Sequence, residues 1–165
     1  MAEFKLDLKT LAYGPVAKYF DLALFEKDIS WYEDAGYKVY FLDGGKWYTM
    51  ESFHSDCHEV FSFPSYYGRN WGAFDDVISE IERGSQGDVL VCVRNFDSWS
   101  KRDISNSQVF LEIMSDQTYS YLVYGRKFVT LIHSNDPNLS IREVGAKSVH
   151  WNQKEWNESD RREKC

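Results

Sequence analysis

Tyr66, Tyr67, Trp71, Asp75, Asp76 and Glu80 fall within one short stretch of this 165-residue chain. Carboxylates grouped in this way can grip a cationic partner. If burial separates their pKa values, they can instead do acid/base work, for instance Asp76 with Glu80 or with Asp116. The neighbouring rings would supply rigid contact area. A second group, His54 and His58 at i and i+4 with Asp56 and Cys57 beside them, could seed a metal site. No complementary ligand cluster is recognisable elsewhere, so these four read as ordinary helix surface. No GxSxG, P-loop, GxGxxG or HExxH pattern occurs. No catalytic residue, metal or cofactor is therefore assigned.

The elements that must hold these residues follow from periodicity. Leu22, Phe25, Ile29 and Tyr32 mark one helix face, with Gly36 as its C-terminal stop. Residues 37–42 read as a strand ending at Asp43-Gly44-Gly45. Met50, Phe53, Cys57 and Val60 or Phe61 form a second helix stripe, broken by Pro64. A third helix is predicted over residues 70–83, with Trp71, Phe74, Ile78 and Ile81 facing the core. Asn70 suits its N-cap, and Gly68 permits a positive φ in the preceding turn. Asp75 and Asp76 then lie near the first turn, on a polar side shared with Gly72, Ser79 and Glu80. Residues 89–93 and 128–133 read as buried strands. Ser105 to Ser107 cap a fourth helix whose end, near Asp116 or near Tyr124, the period leaves open. Residues 1–20 show no strong period. Ile141, Val144 and Val149-His150-Trp151 are packing points, and residues 156–165 are expected to fray. Strands separated by helices give an α/β class with at least partly parallel pairing, in one domain over residues 1–165.

Composition bounds the function. The chain carries 26 acidic and 19 basic residues, a net charge of −7. Between Glu51 and Glu82 there are seven acids and one base, Arg69, whereas the remainder holds 19 acids against 18 bases. The acidity is therefore local. It argues against direct nucleic-acid binding, which needs an excess of Lys and Arg. No apolar run is long enough for a membrane span, and the N-terminus has no signal-peptide pattern. Three cysteines, without paired spacing, fit a reducing compartment. Cys92 reads as a packed core residue and Cys165 as part of an exposed tail. The expected setting is cytoplasmic.

The segment Phe63-Pro64-Ser65-Tyr66-Tyr67-Gly68-Arg69-Asn70-Trp71-Gly72-Ala73-Phe74-Asp75-Asp76 resembles the signature loop and helix of the barstar family, intracellular inhibitors of secreted bacterial ribonucleases. The order of flanking strands and helices is similar over residues 37–133, and leaves 1–36 and 134–165 as extensions. The resemblance implies a two-layer α/β fold with a three-stranded, mainly parallel sheet and packed helices. It also implies a mechanism in which loop and helix enter a nuclease cleft and carboxylates occupy the place of RNA phosphates. By position, Asp76 matches the principal phosphate-mimicking aspartate and Tyr66 the loop tyrosine. Gly68 and Asn70 match the presenting turn, and Asp116 a further acid on a later helix. Two departures stand out: Gly72 replaces an aspartate usual in the family, and Asp75 replaces a tryptophan.

The expected function is a non-enzymatic immunity protein that binds a cationic nuclease toxin without a cofactor. The expected contact set is Tyr66, Tyr67, Gly68, Asn70, Trp71, Gly72, Asp75, Asp76, Glu80 and Asp116. A non-inhibitory adaptor of the same fold is the alternative, since Gly72 removes one carboxylate. A carboxylate-based hydrolase would need a deep pocket holding two of the acids.

Overall fold

The computed structural model of the chain describes residues 5–162. The elements are α1 (Leu6–Tyr13), β1 (Val16–Tyr19), α2 (Leu22–Asp34), β2 (Lys38–Asp43), α3 (Met50–Val60), α4 (Trp71–Ile78), β3 (Val89–Arg94), α5 (Phe96–Arg102), α6 (Ile104–Val123), β4 (Phe128–His133), β5 (His150–Trp151) and α7 (Glu158–Arg162).

The three strands read from sequence, β2, β3 and β4, are adjacent and parallel, with Val89 opposite Lys38 on one side and Phe128 on the other. The sheet does not stop at three. β1 pairs in parallel with β4, and β5 with β1, giving five strands in the order β2-β3-β4-β1-β5. Both added strands come from the extensions. Their absence from the sequence reading has a physical cause: all four residues of β1 are buried, Lys18 included, so no two-residue period exists to detect. β5 has only two residues.

Burial on both faces explains the unbroken apolar runs of β3 and β4. Val89, Val91, Val93, Phe128 and Ile132 point to the face covered by α3, α4, α5 and α6. Leu90, Cys92, Val129 and Leu131 point to the other, against Phe25, Ile29 and Tyr32 of α2. The core of residues 37–133 thus supplies a sheet and one helical layer, and α1 with α2 adds a second helical layer from the N-terminal extension.

Local chemistry sets the helix ends. After α2, Gly36 adopts φ 88°, and the amides of Gly36 and Tyr37 bond back to the carbonyls of Glu33 and Tyr32 at 3.1 Å each. This is a glycine-terminated Schellman stop. Asp103, rather than Ser105 to Ser107, caps α6 by accepting from the Asn106 amide at 3.1 Å. α6 continues to Val123, because Gln117, Thr118 and Tyr121 keep its buried stripe going past Asp116. α5 had no signal in the sequence reading.

Buried charges fasten the extensions. Asp7 on α1 accepts from the Tyr37 hydroxyl at 2.6 Å and pairs with Lys127 at 3.1 Å. Burial by itself would raise the Asp7 pKa, but the hydrogen bonds from Tyr37, Lys127 and the Leu8 amide outweigh it and hold the carboxyl below its usual value. At the other end, buried Glu155 accepts from the amides of Phe20 and Asp21 at 3.0 Å each. Arg161, also buried, donates to the carbonyls of Pro137, Glu155 and Trp156. The expected fraying of residues 156–165 is corrected as far as Arg162; Cys165 lies outside the described residues.

Candidate functional site

The loop between α3 and α4 is built from turns that its residue types dictate. The Tyr67 amide bonds to the Pro64 carbonyl at 3.0 Å, closing a turn that Pro64 starts. Asn70 caps α4 as expected, its side-chain oxygen accepting from the Ala73 amide at 2.9 Å. The left-handed residue, however, is Arg69 (φ 54°) and not Gly68. A left-handed non-glycine residue costs roughly 1–2 kcal/mol. Here the Arg69 guanidinium is tied down on α3 by donating to Ser55 Oγ at 2.8 Å. Gly68 instead keeps the turn uncrowded, since a Cβ there would sit 3.2 Å from the Ala73 Cβ, a tight contact.

Adjacent tyrosines take opposite environments. Tyr66 is 80% exposed, whereas Tyr67 is buried at 7%. Tyr67 packs on Phe63 with ring centroids 4.8 Å apart and hydrogen-bonds to Nδ1 of His54. The ring of Tyr67 thus faces inward, and it holds the loop from below. Trp71 is half-buried. Its indole N–H donates to Asn106 Oδ1 at 2.8 Å, and its ring packs on Phe53 with centroids 5.1 Å apart. Trp71 thus offers one edge to solvent and pins α4 to the start of α6.

α4 is shorter than predicted and ends at Ile78 rather than near Arg83. The Ser79 hydroxyl donates to the Asp76 carbonyl at 2.7 Å, and the Glu80 amide bonds to Val77 in an i to i+3 turn. Glu80 therefore lies past the helix, and its i, i+4 relation to Asp76 is not helical. Asp75 and Asp76 sit in the second half of α4, so the first-turn dipole gain expected for them does not apply.

Gly72, Asp75, Asp76 and Glu80 are all exposed. Among the described residues none of the three acids has an ion-pair partner. Asp116 on α6 is exposed and joins the same field. Partial burial, then the charges of Asp75 and Glu112, raise its pKa. The acids of α4 and α6 thus feel one another across the two helices, a closeness that sequence separation hides.

A groove of about 460 Å³ runs beside this face, lined by Glu51, His54, Arg69, Asn70, Trp71 and Asn106. It holds neither Asp75, Asp76 nor Asp116. The four residues weighed as a metal seed diverge: His54 and Cys57 are buried, and Asp56 accepts from the Trp47 indole at 2.8 Å. Among the described residues no group of three or more potential metal ligands occurs. No described helix is long and apolar enough to cross a membrane.

Sequence reasoning missed His54, Arg69 and Asn106 as supports of the site. The Asp103-x-x-Asn106 spacing, a helix start whose third residue reaches the signature tryptophan, was the available signal for one of them. No curated protein matches the chain. The family model of Barstar (barnase inhibitor) matches residues 37–133, well over half of the chain and the same span as β2 to β4 with the acidic helix between them. The chain belongs to the barstar family.

Proposed function

We propose that this protein is an intracellular inhibitor of immunity-protein type, which blocks the active-site cleft of a cationic nuclease with α4 and the Tyr66 loop. The observation that supports this most is the split of the signature into two faces. Tyr66, Asp75 and Asp76 are exposed and without internal cationic partners, while Tyr67 and Trp71 anchor the same loop and helix from below. Carboxylates already paired within the chain would have to break those pairs to bind. Unpaired ones meet a cationic cleft at no such cost and attract it over a distance. A loop fixed by the Tyr67–His54 bond and the Asn70 cap loses little freedom on binding. The groove beside this face holds none of Asp75, Asp76 and Asp116, which counts against a hydrolase that would need two acids in one pocket.

In this reading Asp76 supplies the principal carboxylate, with Asp75 covering part of the position that Gly72 leaves vacant. Glu80 and Asp116 extend the acidic field. Titration of the protein against cationic ribonuclease toxins from its own source tests the reading. Asp76→Ala is expected to weaken binding by about 2–5 kcal/mol, because it leaves a buried Arg or Lys unpaired. Affinity is also expected to fall with salt. Equal capture of a nuclease by wild type and Asp76→Ala, or capture of none, would favour a non-inhibitory adaptor instead.

A further inference from the structure

The extensions create a feature that the matched core does not have. Between α1, α2, β1 and β5 lies a cavity of about 550 Å³, within the size range of small-molecule sites. Its walls come from the short elements of both extensions, α1 of eight residues and β5 of two, together with α2 and β1.

The lining has three parts with distinct chemistry. Lys5, Lys9, Lys27 and Lys154 contribute four cations from three separate segments of the chain. Among the described residues none of the four has a carboxylate within ion-pair distance. Four lysines without a described carboxylate partner line one hollow of a chain whose net charge is −7, and together they make it locally attractive to an anion. Aromatic surface comes from Tyr13 and Trp31, and from Trp151, whose ring also carries the Lys18 ammonium and the Arg161 guanidinium at 4.7 and 4.5 Å from its centroid. The third part is Asp28, which lines the cavity although only 6% exposed. One of its oxygens accepts from the Tyr19 hydroxyl at 2.5 Å, and no described group takes the other. Burial, then the Asp28 charge, raises the Tyr19 pKa, so the phenol stays a donor. That second oxygen is not sealed from solvent, so it is open to accept from a donor that enters the cavity.

We propose that this cavity is a binding site for a nucleoside monophosphate. Each part of such a ligand meets its complement: phosphate at the lysines, a planar base against the aromatic rings, and ribose hydroxyl or base N–H donors at Asp28. An inorganic anion would use the lysines alone, and an uncharged aromatic would leave them unneutralised. The site lies outside residues 37–133 and is independent of the nuclease-binding reading.

Isothermal titration of the full chain with the four ribonucleoside 5′-monophosphates, the matching nucleosides and inorganic phosphate tests the assignment. At least one monophosphate is expected to bind at least about tenfold more tightly than its nucleoside and than inorganic phosphate, each tenfold being about 1.4 kcal/mol. Lys27→Glu and Lys154→Glu change exposed side chains, are expected to leave the fold unchanged by circular dichroism, and are each expected to weaken binding by about tenfold or more. Asp28→Asn tests the third contact; because it is buried, its thermal melt is measured alongside. Several results would overturn the proposal: no monophosphate binding, nucleoside or phosphate binding as tightly as the nucleotide, or binding unaffected by both lysine reversals.

Discussion

The Tyr67 hydroxyl is hydrogen-bonded to Nδ1 of His54, joining the signature loop to α3. Both side chains are buried, while the preceding residue, Tyr66, is 80% exposed. The loop therefore has an inner tyrosine that fixes it and an outer one free to make contacts.

These two tyrosines are expected to separate stability from binding. Tyr67→Phe leaves the His54 nitrogen unpaired in the interior and should lower the unfolding free energy by about 1–3 kcal/mol. Tyr66→Ala should change stability by no more than about 0.5 kcal/mol, yet weaken nuclease binding. Urea denaturation of both variants measures the first effect and titration the second. A destabilised Tyr66→Ala with an unaffected Tyr67→Phe would reverse the assignment of inner and outer faces.

Acid should weaken the loop anchor. Burial, then the Arg69 charge, lowers the His54 pKa below its ordinary 6.5. The unfolded chain thus takes up its proton at a higher pH than the folded one. The stability contributed by neutral His54 is present above about pH 6.5 and is lost as pH falls through the folded pKa. Buried His133 has the same sign. Denaturant melts between pH 7.5 and 5 should show falling stability, with a shallower fall in His54→Gln. Identical slopes for the two proteins would remove His54 from the account.

Gly72 can accept the carboxylate it lacks. A Cβ there would meet only Asn70 Oδ1, at 3.4 Å, which is ordinary contact. Gly72→Asp removes a helical glycine, worth about 0.5–1 kcal/mol. It also places a negative charge in the first turn of α4, worth about 0.3–1 kcal/mol. The melting temperature is expected to rise by several degrees, and association with a cationic nuclease to become faster and more salt-sensitive. A lower melting temperature would show that the position demands glycine.

Glu155 should behave as a clamp between the two extensions. Its carboxylate holds the amides of Phe20 and Asp21. Glu155→Ala removes the carboxylate acceptor of both hydrogen bonds and is expected to lower stability by about 1–3 kcal/mol. Amide exchange at Phe20 and Asp21 is expected to accelerate together with exchange in β5. Unchanged protection of these amides would place the fastening of the C-terminal segment elsewhere.

Some of this protein is determined by sequence alone. The stripe of Phe25, Ile29 and Tyr32, the strands β2, β3 and β4, the Asn70 cap and the acidic stretch from Glu51 to Glu82 are all local. Each is encoded within a few residues by period, cap chemistry or charge count. The signature at residues 63–76 was legible for the same reason, and it carried the family.

Tertiary structure alone decided the rest. Tyr66 and Tyr67 are identical in type and adjacent, so no local rule could say which one faces His54, 13 residues earlier. Trp71 is set by Asn106, 35 residues away, and the pKa of Asp116 is raised first by its burial and then by the charge of Asp75 on another helix. β1 became a strand because β4 and β5 offered it hydrogen bonds, not because Val-Ala-Lys-Tyr alternates. The lysine-rimmed cavity exists only where residues from both ends of the chain meet. Contacts between distant residues set exposure and pairing, and local pattern carries no record of them.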